Sequence, residues 1–184
     1  MGLRSHVVSG FVNSIRAWRD PVVSDAPAMQ ERNRRPAIRW KTQSMPSITG
    51  QLGVILTVRD AEQSAQWYET LLGVEERYNH ASADGSMHYV CLNHPDTALE
   101  LCLVSHAGNR GEHFNEQRAG LDHLEFLVAN REDLMAWANR LDEMGVAHSG
   151  VKDLTYTKNS MVTFRDPDNI QLEFFWRAPT GPMP

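Results

Sequence analysis

The sequence carries one pattern twice. When "GVILTVRDAEQSAQW" (53–67) is written above "HLEFLVANREDLMAW" (123–137), Val58 falls on Val128 and Trp67 on Trp137, an offset of 70 residues. Asp60 and Asn130 also coincide, each an N-cap residue type with Gln63 or Asp133 three positions on. Both helical stretches run to a glycine, Gly73 or Gly145, the residue that most easily ends a helix in the left-handed conformation. Further along, "TALELC" (97–102) matches "IQLEFF" (170–175) at an offset of 73, and the turns Pro95-Asp96 and Pro167-Asp168 correspond at 72. A repeat of this length is one supersecondary unit used twice, so the second copy must nearly repeat the fold of the first.

Each copy reads strand, helix, then several strands. In the second helix Leu134, Trp137, Leu141 and Met144 recur at helical spacing, which buries one face. "SMHYVCL" (86–92) and "NSMVTFR" (159–165) are middle strands, with Glu76–Tyr78 and His148–Val151 as weaker candidates before them. The result is an α+β fold of two βαβββ modules, 50–104 and 121–177, joined by a polar linker, 105–120. Residues 178–184 form a tail. With 184 residues and 41% hydrophobic content, the chain can bury one ordinary core.

Residues 1–49 lie outside the repeat. Residues 1–44 carry eight Lys/Arg against three acids, with three prolines and no sustained periodicity. A disordered or loosely docked extension is one reading, and an over-called start with Met45 as the true beginning is another. An arginine-rich targeting segment is disfavoured by the acids, and no secretory signal is expected without a continuous apolar run. The remaining 140 residues hold ten basic and twenty acidic residues, which argues against a nucleic-acid partner. No apolar run approaches the roughly 20 residues a membrane helix needs, so no membrane partner is expected. Cys91 and Cys102 fit a reducing, cytoplasmic setting better than a disulfide framework, although the two could pair.

Alternation along the strands sorts the residues by face. Val54, Leu56 and Val58 share one face, as do Leu101 with Leu103, Phe126 with Val128, and Leu172 with Phe174. These apolar faces must pack against the helices. The opposite faces carry Glu100, His123, Glu125 and Glu173 beside Ile55, Leu127 and Phe175. A face that mixes acids, a histidine and large apolar residues fits a concave, ligand-holding surface better than plain solvent surface. In the repeat, Glu100 matches Glu173 and Gly53 matches His123, so related units packed about a pseudo-twofold axis would bring these positions together. An imidazole with two carboxylates is a plausible donor set for Mn, Fe, Co, Ni or Zn.

The stretches "GVILTVRDAEQSAQWYETLLGV", "TALELCLV", "GLDHLEFLVAN" and "MVTFRDPDNIQLEFF" resemble the vicinal-oxygen-chelate superfamily, which includes glyoxalase I, extradiol dioxygenases, fosfomycin-resistance transferases and bleomycin-binding proteins. The resemblance spans about residues 50–177. It implies a U-shaped, cup-like mixed sheet around a divalent metal, with helices outside and ligands from positions 53, 100, 123 and 173. Glu100, His123 and Glu173 would then be the metal ligands, with Glu100 or Glu173 also moving protons. Gly53 departs from the family, whose metal-dependent members usually have His or Gln there. That disfavours an extradiol dioxygenase site, which needs two histidines. Gln51 shares the inward parity but sits two residues away and is not counted as a replacement.

Two functions remain open: a glyoxalase-like, metal-dependent lyase or isomerase acting on a small oxygen-chelating substrate, or a metal-free binding protein of the bleomycin-resistance type. Tyr89, Arg165, Phe175 and Tyr156 are candidate substrate-binding residues. Arg165 could equally form a salt bridge at its turn, and Tyr156 could cover the pocket or lie exposed. Glu125 matches Ile55 in the repeat and reads as a rim charge or a partner to the ligands. The remaining histidines show no metal-ligand spacing and read as structural or solvated. The resemblance also implies a homodimer, with modules pairing within one chain or between two.

Overall fold

The structure is a computed structural model that describes residues 53–179. The N-terminal extension, the proposed start at Met45, Gln51 and the end of the tail lie outside the described residues. Within them, the element order is β1 (Gly53–Thr57), α1 (Ala61–Leu72), β2 (Glu75–Ala81), β3 (Met87–Asn93), β4 (Glu100–His106), β5 (Leu124–Val128), α2 (Asp133–Glu143), β6 (Lys152–Asp153), β7 (Ser160–Arg165) and β8 (Gln171–Trp176). Two four-stranded mixed sheets result, ordered β1-β4-β3-β2 and β5-β8-β7-β6. In each the first and last strands of the module run parallel and the remaining pairs are antiparallel. This is the βαβββ pattern twice.

Local chemistry sets the helix ends. Asp60 is extended and accepts the Gln63 backbone N–H at 3.0 Å, and Gly73 closes α1 at φ 69° with its N–H on the Glu69 carbonyl. The second helix differs from expectation. Asn130 does not cap it directly, because Asp133 reaches back to accept the Asn130 N–H at 3.0 Å. The next residues turn through tight i→i+3 bonds, Asp133 N–H to Asn130 O and Leu134 N–H to Arg131 O. Regular helix therefore starts only at Asp133, after Glu132. Gly145, at φ 68°, ends it as read from the sequence.

The second module's outer strand is also reduced. His148 makes an isolated bridge to Phe164, and the strand proper is the two-residue β6. A glycine at φ 68°, Gly150, breaks the segment between them. In the first module, β3 and β4 run antiparallel with Cys91 directly opposite Cys102, and the two form a disulfide. The expectation of reduced thiols missed this because composition says nothing about register.

The apolar faces pack as expected. Leu56, Val58, Leu101, Leu103, Leu134, Leu141, Leu172 and Phe174 belong to one buried cluster drawn from both modules. Trp137 stacks on Phe174 with centroids 4.3 Å apart, and Phe164 lies 5.0 Å from the same ring.

A second contact between the modules is polar. The turn Asp166–Asn169 inserts its carboxylates against the start of α1. Asp168 Oδ1 accepts from the Arg59 backbone N–H at 2.9 Å and from Arg59 Nε at 2.8 Å, while Arg59 Nη2 donates to the Pro167 carbonyl at 2.7 Å. Ser64 Oγ donates to Asp168 Oδ2 at 3.1 Å, and Tyr68 Oη donates to Asp166 Oδ2 at 2.9 Å. Asp166 Oδ1 takes the N–H groups of Asp168 and Ile170, at 2.9 and 2.7 Å, which folds the turn on itself. Arg140 of α2 adds a bond to the Thr70 carbonyl of α1.

Burial pushes the Asp166 carboxyl up to about 6, although bonds from Ile170 and Tyr68 favour the ionised form. Its folded pKa lies above the unfolded value, so this group stabilises the fold fully below about pH 4. That contribution fades as pH rises through about 6. Asp166→Asn keeps the acceptor for the two backbone donors and removes the titration. Between pH 4 and 7 the wild type should lose about 2 kcal/mol of stability relative to the variant. Urea unfolding across that range checks it, and parallel pH profiles would show that Asp166 carries no such linkage.

Candidate functional site

The β5–β8 ladder builds the site. The two strands run parallel with Glu125 opposite Glu173 and Leu127 opposite Phe175, so these four side chains share one face. His123 precedes the strand with the same parity. Ligand-type atoms of His123, Glu125 and Glu173 lie within 4.8 Å of one another. The other face of both strands is core, which fixes their register and aims the polar row away from it.

The three side chains differ in environment. Glu173 is only 6% exposed. No donor among the described residues hydrogen-bonds its carboxylate. Burial pushes its pKa up, His123 draws it partly back, and Glu125 and Asp122 add to the rise. His123 is half-buried, with Nδ1 2.6 Å from Asp122 Oδ1. An ionised carboxylate can only accept, so Nδ1 donates to Asp122 and the ring is held from that side. Glu125 is exposed, and Arg177 Nη2 reaches its Oε1 at 3.3 Å. One imidazole and two carboxylates, one of them buried without a partner, are a donor set that suits a divalent cation.

The sequence-derived residues separate into those this cluster gathers and those it does not. His123 and Glu173 stand together, and Phe175, 8% exposed, lies beside them with Arg177 5.9 Å above its ring. Glu100 is in the other sheet, exposed, paired with Asn93 across β3–β4 and with Gly53 across β1–β4. The Asn93 Oδ1 atom is buried with no hydrogen-bond partner. Tyr89 sits in that sheet too, stacked on Tyr78 at 5.6 Å and 5.5 Å from His80. Tyr156 is 70% exposed and lines an open depression of about 420 Å³ with Arg177. The Arg165 guanidinium bonds Glu116 at 2.8 and 3.2 Å and the Asn169 carbonyl at 2.8 Å, tying the linker to the Asp166–Asn169 turn.

Two contributors escaped the sequence reading of roles. Asp122 orients His123, and its only trace in the sequence is adjacency. Glu125 shares parity with His123, which is a usable signal, but its copy in the first module is Ile55.

These two modules, with a donor cluster on the face away from the core, define the class. The model of the Glyoxalase/Bleomycin resistance protein/Dioxygenase superfamily matches residues 50–174, and the chain belongs to that superfamily. Similar solved structures include a glyoxylase/bleomycin resistance protein/dioxygenase domain from Frankia sp. EAN1pec. It is 32% identical over 72% of this chain and 100% of that one, with a TM-score of 0.64. A glyoxalase family protein from Enterococcus faecalis, 22% identical over 67% of this chain and 94% of its own, has a TM-score of 0.56. The fosfomycin resistance protein FosX from Listeria monocytogenes, complexed with Mn(II) and sulfate, shares the fold at 19% identity and TM-score 0.53, over 72% of this chain and 95% of that one. No curated protein matches the chain. None of the described helices is long and apolar enough to cross a membrane.

Desolvation and the neighbouring carboxylates Glu125 and Asp122 disfavour the ionised form of Glu173, so its charge opposes folding. Glu173→Gln should therefore raise stability at pH 8 in chelator by about 1–2 kcal/mol, the saving from not burying the charge. Chemical denaturation checks this, and a destabilised variant would mean that the carboxylate holds the fold together.

Proposed function

We propose that this chain is a glyoxalase-like, metal-binding enzyme of the lyase or isomerase type, acting on a small substrate with adjacent oxygens. The observation that carries the reading is Glu173, a carboxylate only 6% exposed beside His123 and Glu125, to which no described residue donates a hydrogen bond. A fold does not by itself deposit a charge in such a place, and catalytic sites often do. His123 and Glu173 would hold the cation, with Glu100 contributing from the first module. A bound divalent cation would supply Lewis acidity toward the substrate oxygens. Asp122 fixes the orientation of the His123 ring through Nδ1. The raised proton affinity of Glu173, caused first by burial, suits a carboxylate that takes and returns a proton.

The reading includes a homodimer. Ile55 and Leu127, 65% and 63% exposed on the polar faces, support a partner module covering them. Metal-free binding of an aromatic or drug-like molecule is the second reading. It is favoured by Gly53, which offers no side-chain donor at the position where the resemblance expects one.

A screen of hemithioacetals and other oxygen-chelating substrates with Mn, Fe, Co, Ni and Zn tests the first reading. Turnover should appear with at least one metal, vanish in chelator and return on metal addition, and Glu173→Gln should lower kcat by about 10²-fold or more. A ligand retained unchanged in chelator, with no turnover under any metal, would favour the second reading and overturn the first.

A further inference from the structure

Position 53 offers no donor, although the first strand of the first module is one of the four places from which the resemblance draws ligands. Glu125 stands where a donor could be restored. It lies two residues beyond His123 with the same parity, in parallel register with Glu173, and its carboxylate belongs to the same 4.8 Å cluster. Like charges on directly neighbouring strands repel, and here one of the pair is buried. Among the described residues, the cation that reaches this pair is Arg177. It touches one oxygen of Glu125 at 3.3 Å from a side chain that is 64% exposed, a contact that stabilises little, and it makes no bond to Glu173. A rim charge would have solvent or a surface cation as its whole environment. Glu125 instead faces Glu173, only 6% exposed, and the His123 ring, with ligand-type atoms of all three within 4.8 Å of one another.

We propose that Glu125 is a direct ligand of the divalent cation, replacing the donor absent at Gly53, so that three donors come from a single module. The inference rests on the metal-dependent reading above and adds the identity of the ligand. It also separates this chain from members that carry the donor on the first strand. Because Glu125 is exposed and makes no core contact, its replacement leaves the fold in place.

Calorimetric titration of Mn, Co, Ni and Zn into chelator-treated full-length protein tests it, with Glu125→Gln and Glu100→Gln compared at 0.1 and 0.5 M NaCl. Glu125→Gln should bind at least 30-fold more weakly at both salt concentrations, since a contact ligand is not screened as a distant charge is. The visible absorption of bound Co(II) should change shape as a carboxylate leaves its coordination sphere, whereas Glu100→Gln should weaken binding less. Wild-type affinity in Glu125→Gln, or a deficit that disappears at high salt with an unchanged Co(II) spectrum, would overturn the proposal and leave the metal-dependent reading standing. Failure of the wild type to bind any of these metals would overturn both.

Discussion

The arrangement of this protein depends on a short polar turn buried against a helix. Asp166 and Asp168 are 6% and 4% exposed, yet every oxygen of the two carboxylates has a donor from Arg59, Ser64, Tyr68 or the turn's own backbone. Satisfied in this way, buried carboxylates specify one docking geometry where an apolar contact alone would permit several. Tyr68 is held neutral, its phenol pushed well above the usual range by burial first and by Asp166 second, so it keeps the proton it donates to Asp166 Oδ2. Since β8 leaves this same turn at Gln171, the contact that joins the modules also sets where Glu173 emerges.

The site inherits its precision from that anchoring and from the core beneath it. Leu172 and Phe174 are essentially fully buried, and Phe174 is gripped by Trp137 and Phe164. The residue between them is Glu173, which cannot shift without disturbing that packing. Rigid strands holding strained or costly groups are a common way to position reacting side chains. The exposed partners, Glu125 and Arg177, sit on the solvent side and are free to rearrange around a ligand.

Much of this was legible in the sequence because it is periodic. Offsets of 70 to 73 residues revealed two modules, and alternation of two placed His123 and Glu173 on the same face. What escaped was whatever depends on partners distant in sequence or on register. Asp166 and Asp168 look like ordinary turn residues, and nothing near them announces Arg59, Ser64 and Tyr68. Glu125 was visible, but the repeat argument demoted it, since its copy is Ile55 and symmetry favours positions that carry chemistry in both copies. Cys91 and Cys102 become partners only when β3 and β4 are aligned residue by residue. Asn130 fitted an N-cap by type, yet the competing carboxylate of Asp133 took its backbone and delayed the helix.

The polar turn also divides labour between the duplicated halves. The corresponding Pro95-Asp96 turn of the first module is exposed, and among the described residues its carboxylate takes no helix donor, so there the contact runs one way, from the later copy to the earlier. Its partners are separated by 98 to 109 residues. Asp166 and Asp168 of the second module thus complete the start of α1 in the first, a contact no local pairing can replace. The two modules share a plan without being interchangeable: one carries the socket of guanidinium, hydroxyl and phenol, the other the plug.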